Sequence, residues 1–136
     1  MTNAQTYITG ATSAVTLAAA DIVKGSGTGT IAKVAANAST IGVGIVYSGA
    51  TSGKPVSYIA RGKCKAYVDV ATAGTAIEVG TPLVIGTGAT RGAGQVFVAA
   101  ATTAAPGSIV AKALTAVAVD TTAETEVLID VVVDFE

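Results

Sequence analysis

Histidine and tryptophan are missing from this chain, and cysteine and methionine occur once each. Without histidine the commonest general base and the commonest metal ligand are gone, and no Ser-His-Asp or Cys-His arrangement can be built. One cysteine closes no internal disulfide. Cys64 therefore reads as a small buried residue on a strand's apolar face, the alternative being an intermolecular or reactive thiol. Aromatic residues are 4% of the chain, two Phe and four Tyr, which argues against a carbohydrate module, since sugars stack on aromatic faces. Charged residues are only 12% with a net charge of −1, well under the usual quarter. So weak a field excludes a free nucleic-acid binder and suits a surface covered by other protein. No Lys or Arg precedes Lys24, so the start lacks the charged region of a secretory signal. No run of about 18 residues is free of polar groups, and no membrane-spanning helix is expected.

What is present is small and apolar. The 136 residues suffice for one domain, but the 51% apolar share is mostly Ala and Val, and sixteen residues are glycine. Large side chains contribute most burial energy, and each glycine raises the entropic cost of ordering the backbone. A thin core with a costly backbone predicts a marginal protomer, completed by burial against a partner.

Residues 1–20 are a Thr- and Ala-rich leader without basic residues, read as an extended N-terminal arm with Tyr7 and Ile8 as its contact residues. Residues 21–136 read as a single β-domain. Short β-branched runs recur every eight to twelve residues between glycine clusters such as GSGTGT and GTGATRGAG, the pattern of an all-β fold. The expectation is a small Gly-rich β-barrel or β-sandwich with at most short helical turns. Two halves, about 21–60 and 81–133, share an order of strand, glycine loop, strand, polar turn and strand pair. Asp21-Ile22-Val23 is matched to Pro82-Leu83-Val84, and IAKVA to VFVAA.

Between the halves lies SYIARGKCKAYVDV, Ser57 to Val70. Its alternation puts Tyr58, Ala60, Gly62, Cys64, Ala66, Val68 and Val70 on one face and Ile59, Arg61, Lys63, Lys65, Tyr67 and Asp69 on the other, a strand with one buried and one wet side. All eight basic residues lie between Lys24 and Lys112, whereas Ala113 to Glu136 carries six acids and no base. In the final strand Glu126, Asp130, Asp134 and Glu136 share a face with Leu128 and Val132. One reading makes these acids solvated guards of an aggregation-prone edge. The other sets Glu126, Asp130 and Asp134 of one protomer against Arg61, Lys63 and Lys65 of its neighbour, a heterologous contact that can close a ring.

The glycine loops lack a P-loop's Gly-Lys-Ser/Thr ending and fit hairpin bends. The C-terminal acids lack EF-hand spacing. No catalytic, cofactor or metal site is expected, and the chain is not read as an enzyme.

The succession ADIV, IGVGIVYSGA, YIARG and AGTAIEVGTPLV, continued by ATRGAGQV, GSIVAKAL and EVLIDVVV, resembles the capsid cement and head decoration proteins of tailed bacteriophages. The resemblance runs from about Ala20 to Val133, on Gly/Ala/Val phrases. It implies a structural virion protein on the outside of a capsid, a homo-oligomer with a trimer favoured, stabilising the shell through the major capsid protein. It implies no nucleic-acid, membrane or small-molecule partner, and synthesis in the host cytoplasm without a signal peptide. The alternatives are a subunit of another β-rich assembly (fibre, tail or surface lattice) and a small carbohydrate-binding module.

Overall fold

The β-branched runs become strands. The computed structural model describes residues 6–35, 42–70, 76–88, 91–101, 104, 108–118 and 126–135. Among them lie β1 (Thr6–Ser13), β2 (Ile22–Gly25), β3 (Thr30–Lys33), β4 (Gly44–Val46), β5 (Pro55–Asp69), β6 (Pro82–Gly88), β7 (Gly92–Ala99), β8 (Ala111–Ala113) and β9 (Glu126–Asp134). The described residues hold no α-helix, and the all-β expectation stands.

The nine strands form one sheet that closes on itself twice. β1, β3, β2, β4 and the first part of β5 make one five-membered ring, closed by antiparallel pairing of β1 with β5 from Thr12↔Pro55 to Thr6↔Arg61. The rest of β5 with β7, β6, β8 and β9 makes the second, closed by an unbroken antiparallel ladder from Arg61↔Asp134 to Asp69↔Glu126. β5 is 15 residues long because it serves both rings. Every described strand is thus paired on both sides, which removes the free edges that invite further strands.

Serving two rings requires β5 to change which side chains point inward. Tyr7 pairs with Ile59 but Thr6 with Arg61, a one-residue bulge at Ala60, and Gly62 follows with φ +107. A single extra residue exchanges the two faces of a strand. The strict alternation expected over Ser57–Val70 therefore holds only from Gly62 to Val68. Ile59, assigned to the wet face, is buried at 2% exposure, and Asp69 at the far end at 1%.

The rings repeat one hydrogen-bonding scheme. The bridge between Leu17 and Ala50 recurs between Ile77 and Val117. The bond from Ala20 N–H to Val46 O recurs from Gly80 to Ala113, and that from Val46 N–H to Asp21 O recurs from Ala113 to Thr81. The Asp21 carboxylate accepts from Ala18 N–H as the Thr81 hydroxyl accepts from Glu78 N–H. The ladders match Ile22-Val23 with Pro82-Leu83 and Ile31 with Phe97, one residue away from the alignment that sequence alone suggests.

Residues 6–20, read above as most of an arm, lie in the first ring. β1 is one of its strands, and Leu17, at 3% exposure, is part of its core. A leader free of charge is here the composition of a packed strand; residues 1–5 lie outside the described set. That core is small: Leu17, Val23, Ile31, Val46 and Val56. The larger cluster fills the second ring around Phe97, Leu83, Ile85 and Val131 and takes in Ile22, Val34, Ile45 and Ile59 from the first. At the junction Gly94, with φ +80, lets β7 approach so closely that a Cβ there would stand 2.7 Å from the Val34 carbonyl oxygen.

Candidate functional site

The basic stripe of β5 and the acidic face of β9 meet within one chain. The ladder places Arg61 opposite Asp134 and Lys65 opposite Asp130, with Lys63 opposite Val132. Arg61 Nε lies 2.8 Å from Asp134 Oδ1, and Lys65 Nζ 2.9 Å from Asp130 Oδ1. Opposite charges directly across an antiparallel pair stabilise each other. The two faces that one reading of the sequence sets on neighbouring protomers are thus paired within a single chain. β9 is also no edge, since it runs between β8 and β5, so its acids do not serve as edge guards. Glu126 accepts the Arg91 backbone N–H at 3.0 and 3.3 Å.

The hydrogen bond from Lys65, helped by the Lys63 and Lys65 charges, holds the Asp130 carboxyl below its ordinary value against a smaller effect of burial. Between those lysines, Cys64 points the other way, into the larger core. Burial, aided by the Asp130 charge, pushes its thiol up to about 12. So little thiolate at neutral pH makes it an inert core residue.

Tyr7 and Ile8 stand on β1 away from the ladder. Tyr7 is 42% exposed and sets its ring edge against Tyr47, centroids 5.2 Å apart. Ile8 is half-buried opposite Tyr58. They are not brought together with the charged residues.

A polar cluster that sequence reasoning missed joins the rings. The Asp21 side chain is 1% exposed and lies 2.6 Å from Arg91 Nη2 and 3.6 Å from Lys33 Nζ. The Arg91 guanidinium sits 4.0 Å over the Tyr67 ring, a favourable cation–π contact, and its Nε donates to Gln95 O. Gln95, at 5% exposure, accepts the Ile22 N–H at 3.0 Å and donates to Ile22 O and Val34 O, both at 2.7 Å. One amide thus satisfies three backbone groups of the first ring from a strand of the second. The available signals were an acid directly ahead of the apolar pair Ile22-Val23 and a glutamine leading the apolar run of β7.

Beside the ladder lies a groove of about 630 Å³. Tyr47 stands on the first-ring side, and Lys63, Lys65, Tyr67, Leu128 and Asp130 on the other. Among the described residues no three His, Cys, Asp or Glu side chains group as metal ligands, and no helix is long and apolar enough to cross a membrane. The arrangement offers surfaces and hydrogen-bonding groups, and no nucleophile paired with a base.

No known family profile matches the sequence, and no curated protein is significantly similar to it. Among solved structures the fold is similar to the N base of the head fiber gp8.5 of bacteriophage phi29. The likeness has a TM-score of 0.55 at 17% identity and covers 96% of this chain and 95% of that one.

Proposed function

We propose that this chain is a structural protein of a bacteriophage virion, seated on the outside of the head as a homo-oligomer, a trimer in the first instance, that binds the major capsid protein. The carrying observation is the extent of the likeness. It takes in nearly the whole of both chains, so the double ring itself is the shared unit, as expected of a building block whose role lies in its shape. A non-enzymatic role agrees with the inert thiol and with a polar cluster spent on joining the rings. Synthesis in the host cytoplasm accompanies this reading.

Two roles fit such a seat. As a cement protein the chain clamps the shell; as a fibre base it supports a projecting part. The phi29 neighbour, a head-fiber base, favours the second. Mixing the purified protein with expanded capsids that lack it tests both. Co-sedimentation and cryo-EM density on the outer surface are expected. A cement role raises the temperature at which filled shells release their DNA, whereas a fibre base leaves it unchanged. Failure to bind any expanded capsid overturns the proposal, and sedimentation of the free protein as a monomer overturns the trimer.

A further inference from the structure

The aromatic scarcity that argues against sugar binding holds for the composition but not for the groove. Of the four tyrosines, Tyr47 and Tyr67 line it, and Tyr7 props the Tyr47 ring edge-on at 5.2 Å. Tyr47 is 57% exposed, the most open of the three. The Tyr67 ring is held in place under the Arg91 guanidinium at 4.0 Å. Lys63, Lys65 and Asp130 line the groove with Tyr47 and Tyr67, and Leu128 adds an apolar side chain. The volume falls within the range of small-molecule sites, which combine aromatic walls with a few convergent polar groups.

From this arrangement we infer that the groove is a binding site for a short uncharged pyranose oligosaccharide. Sugar rings present C–H faces to aromatic rings and hydroxyls that both donate and accept. The groove answers with two tyrosine rings, two ammonium donors and one carboxylate acceptor. Lys65 and Asp130 are paired at 2.9 Å, so the groove's charged side chains leave only the Lys63 charge over, and a polyanion finds a carboxylate in its path. A peptide adding itself as a strand finds no open edge, because each described strand is paired on both sides. The site spans both rings, and the Arg91–Asp21 contact that joins them also fixes the Tyr67 wall. Such preorganisation lowers the cost of binding. The inference is independent of the virion role.

The test uses the full-length protein titrated with maltotriose, cellotriose, chitotriose and xylotriose. Binding is followed by amide chemical shifts and by tyrosine emission, which no tryptophan obscures. Saturable shifts at Tyr47, Lys63, Tyr67 and Leu128 with at least one probe are expected. Tyr47→Ala should weaken that binding about tenfold, the upper range of one aromatic contact. The Tyr47 backbone bond to Ser57 O is untouched by the change, and unchanged urea unfolding verifies that the variant is folded. Tyr58→Phe, half-buried against the first-ring core and outside the groove, should bind as the parent does. No shift with any of the four sugars overturns the inference. So do shifts that survive Tyr47→Ala, or saturation by inorganic phosphate or by an unstructured peptide in their place.

Discussion

The two rings have the same backbone scheme and different fillings. Position for position they share the isolated bridge, the side-chain cap and the bonds that lead into the second strand. Yet the first ring encloses five buried side chains, none aromatic, while the second is packed around Phe97 and extends its core onto the outer face of the first. The closing walls differ as well. β1 meets β5 through Tyr7↔Ile59 and Ile8↔Tyr58, whereas β9 meets it through Arg61↔Asp134 and Lys65↔Asp130. Hydrogen-bond geometry can thus repeat where side-chain chemistry does not. The second ring supplies burial for both, and the first depends on the junction.

The comparison is broken most sharply at the equivalent positions Ile31 and Phe97. Phe97→Ala should cost about 4 kcal/mol of unfolding free energy in urea, and Ile31→Ala about 2 kcal/mol, because the smaller cluster has less around it to leave empty. Equal losses would mean that the two cores carry equal weight.

The junction comes next. Gln95→Leu keeps the volume but strands the Ile22 N–H and the Val34 carbonyl, while the Ile22 carbonyl keeps the Val34 N–H. Buried backbone groups left unpaired make about 3 kcal/mol the expected cost. Hydrogen exchange should then accelerate in β2 and β3 while β8 and β9 stay protected. Uniform acceleration would show the rings to be a single cooperative unit. Asp21→Thr converts the first ring's cap into the residue its counterpart uses. The cap survives, but the charge that receives Arg91 at 2.6 Å and Lys33 at 3.6 Å is lost. About 2 kcal/mol is expected, since Arg91 remains partly open to water. No loss would mean that the cap alone maintains that corner.

The strands, the glycine loops and the two-fold grammar were legible because β-branched runs and turn residues act locally. The register of the repeat was not. Pro82-Leu83-Val84 offers as good an apolar match to Asp21-Ile22-Val23 as to the true partner, and only cross-strand bonds separate them. The parity switch in β5 was hidden for a related reason. The bulge at Ala60 falls where β5 passes from its β1 partner to its β9 partner, and nothing in Ile59-Ala60-Arg61 announces that passage. The opposed charges of β5 and β9 were seen as complementary, but antiparallel pairing within the chain needs only a connecting turn, whereas a neighbour must be recruited from solution. Asp21, Arg91 and Gln95 escaped because the bonds by which they join the rings span 61 to 73 residues, and a lone polar residue in an apolar run carries no address.

The smallest effect belongs to the ladder and separates the two closing walls. The Asp130 carboxyl is held below its ordinary value chiefly by the hydrogen bond from Lys65. A carboxylate depressed in the folded state favours folding above its unfolded value, near 4, and loses that contribution as pH falls through its own lower value. Lys65→Met removes the bond and spares the strand. Parent and variant should therefore differ slightly in urea midpoint at neutral pH and low salt. The difference should shrink as salt screens the exposed pair, and vanish once the medium is acid enough to protonate Asp130 in the folded parent. The same titration of Ile8→Val, on the aromatic and apolar wall of the first ring, should show a pH-independent difference. If the Lys65→Met difference persists unchanged into acid, the second wall is held by apolar contact, as the first is, and the contrast between the two walls fails.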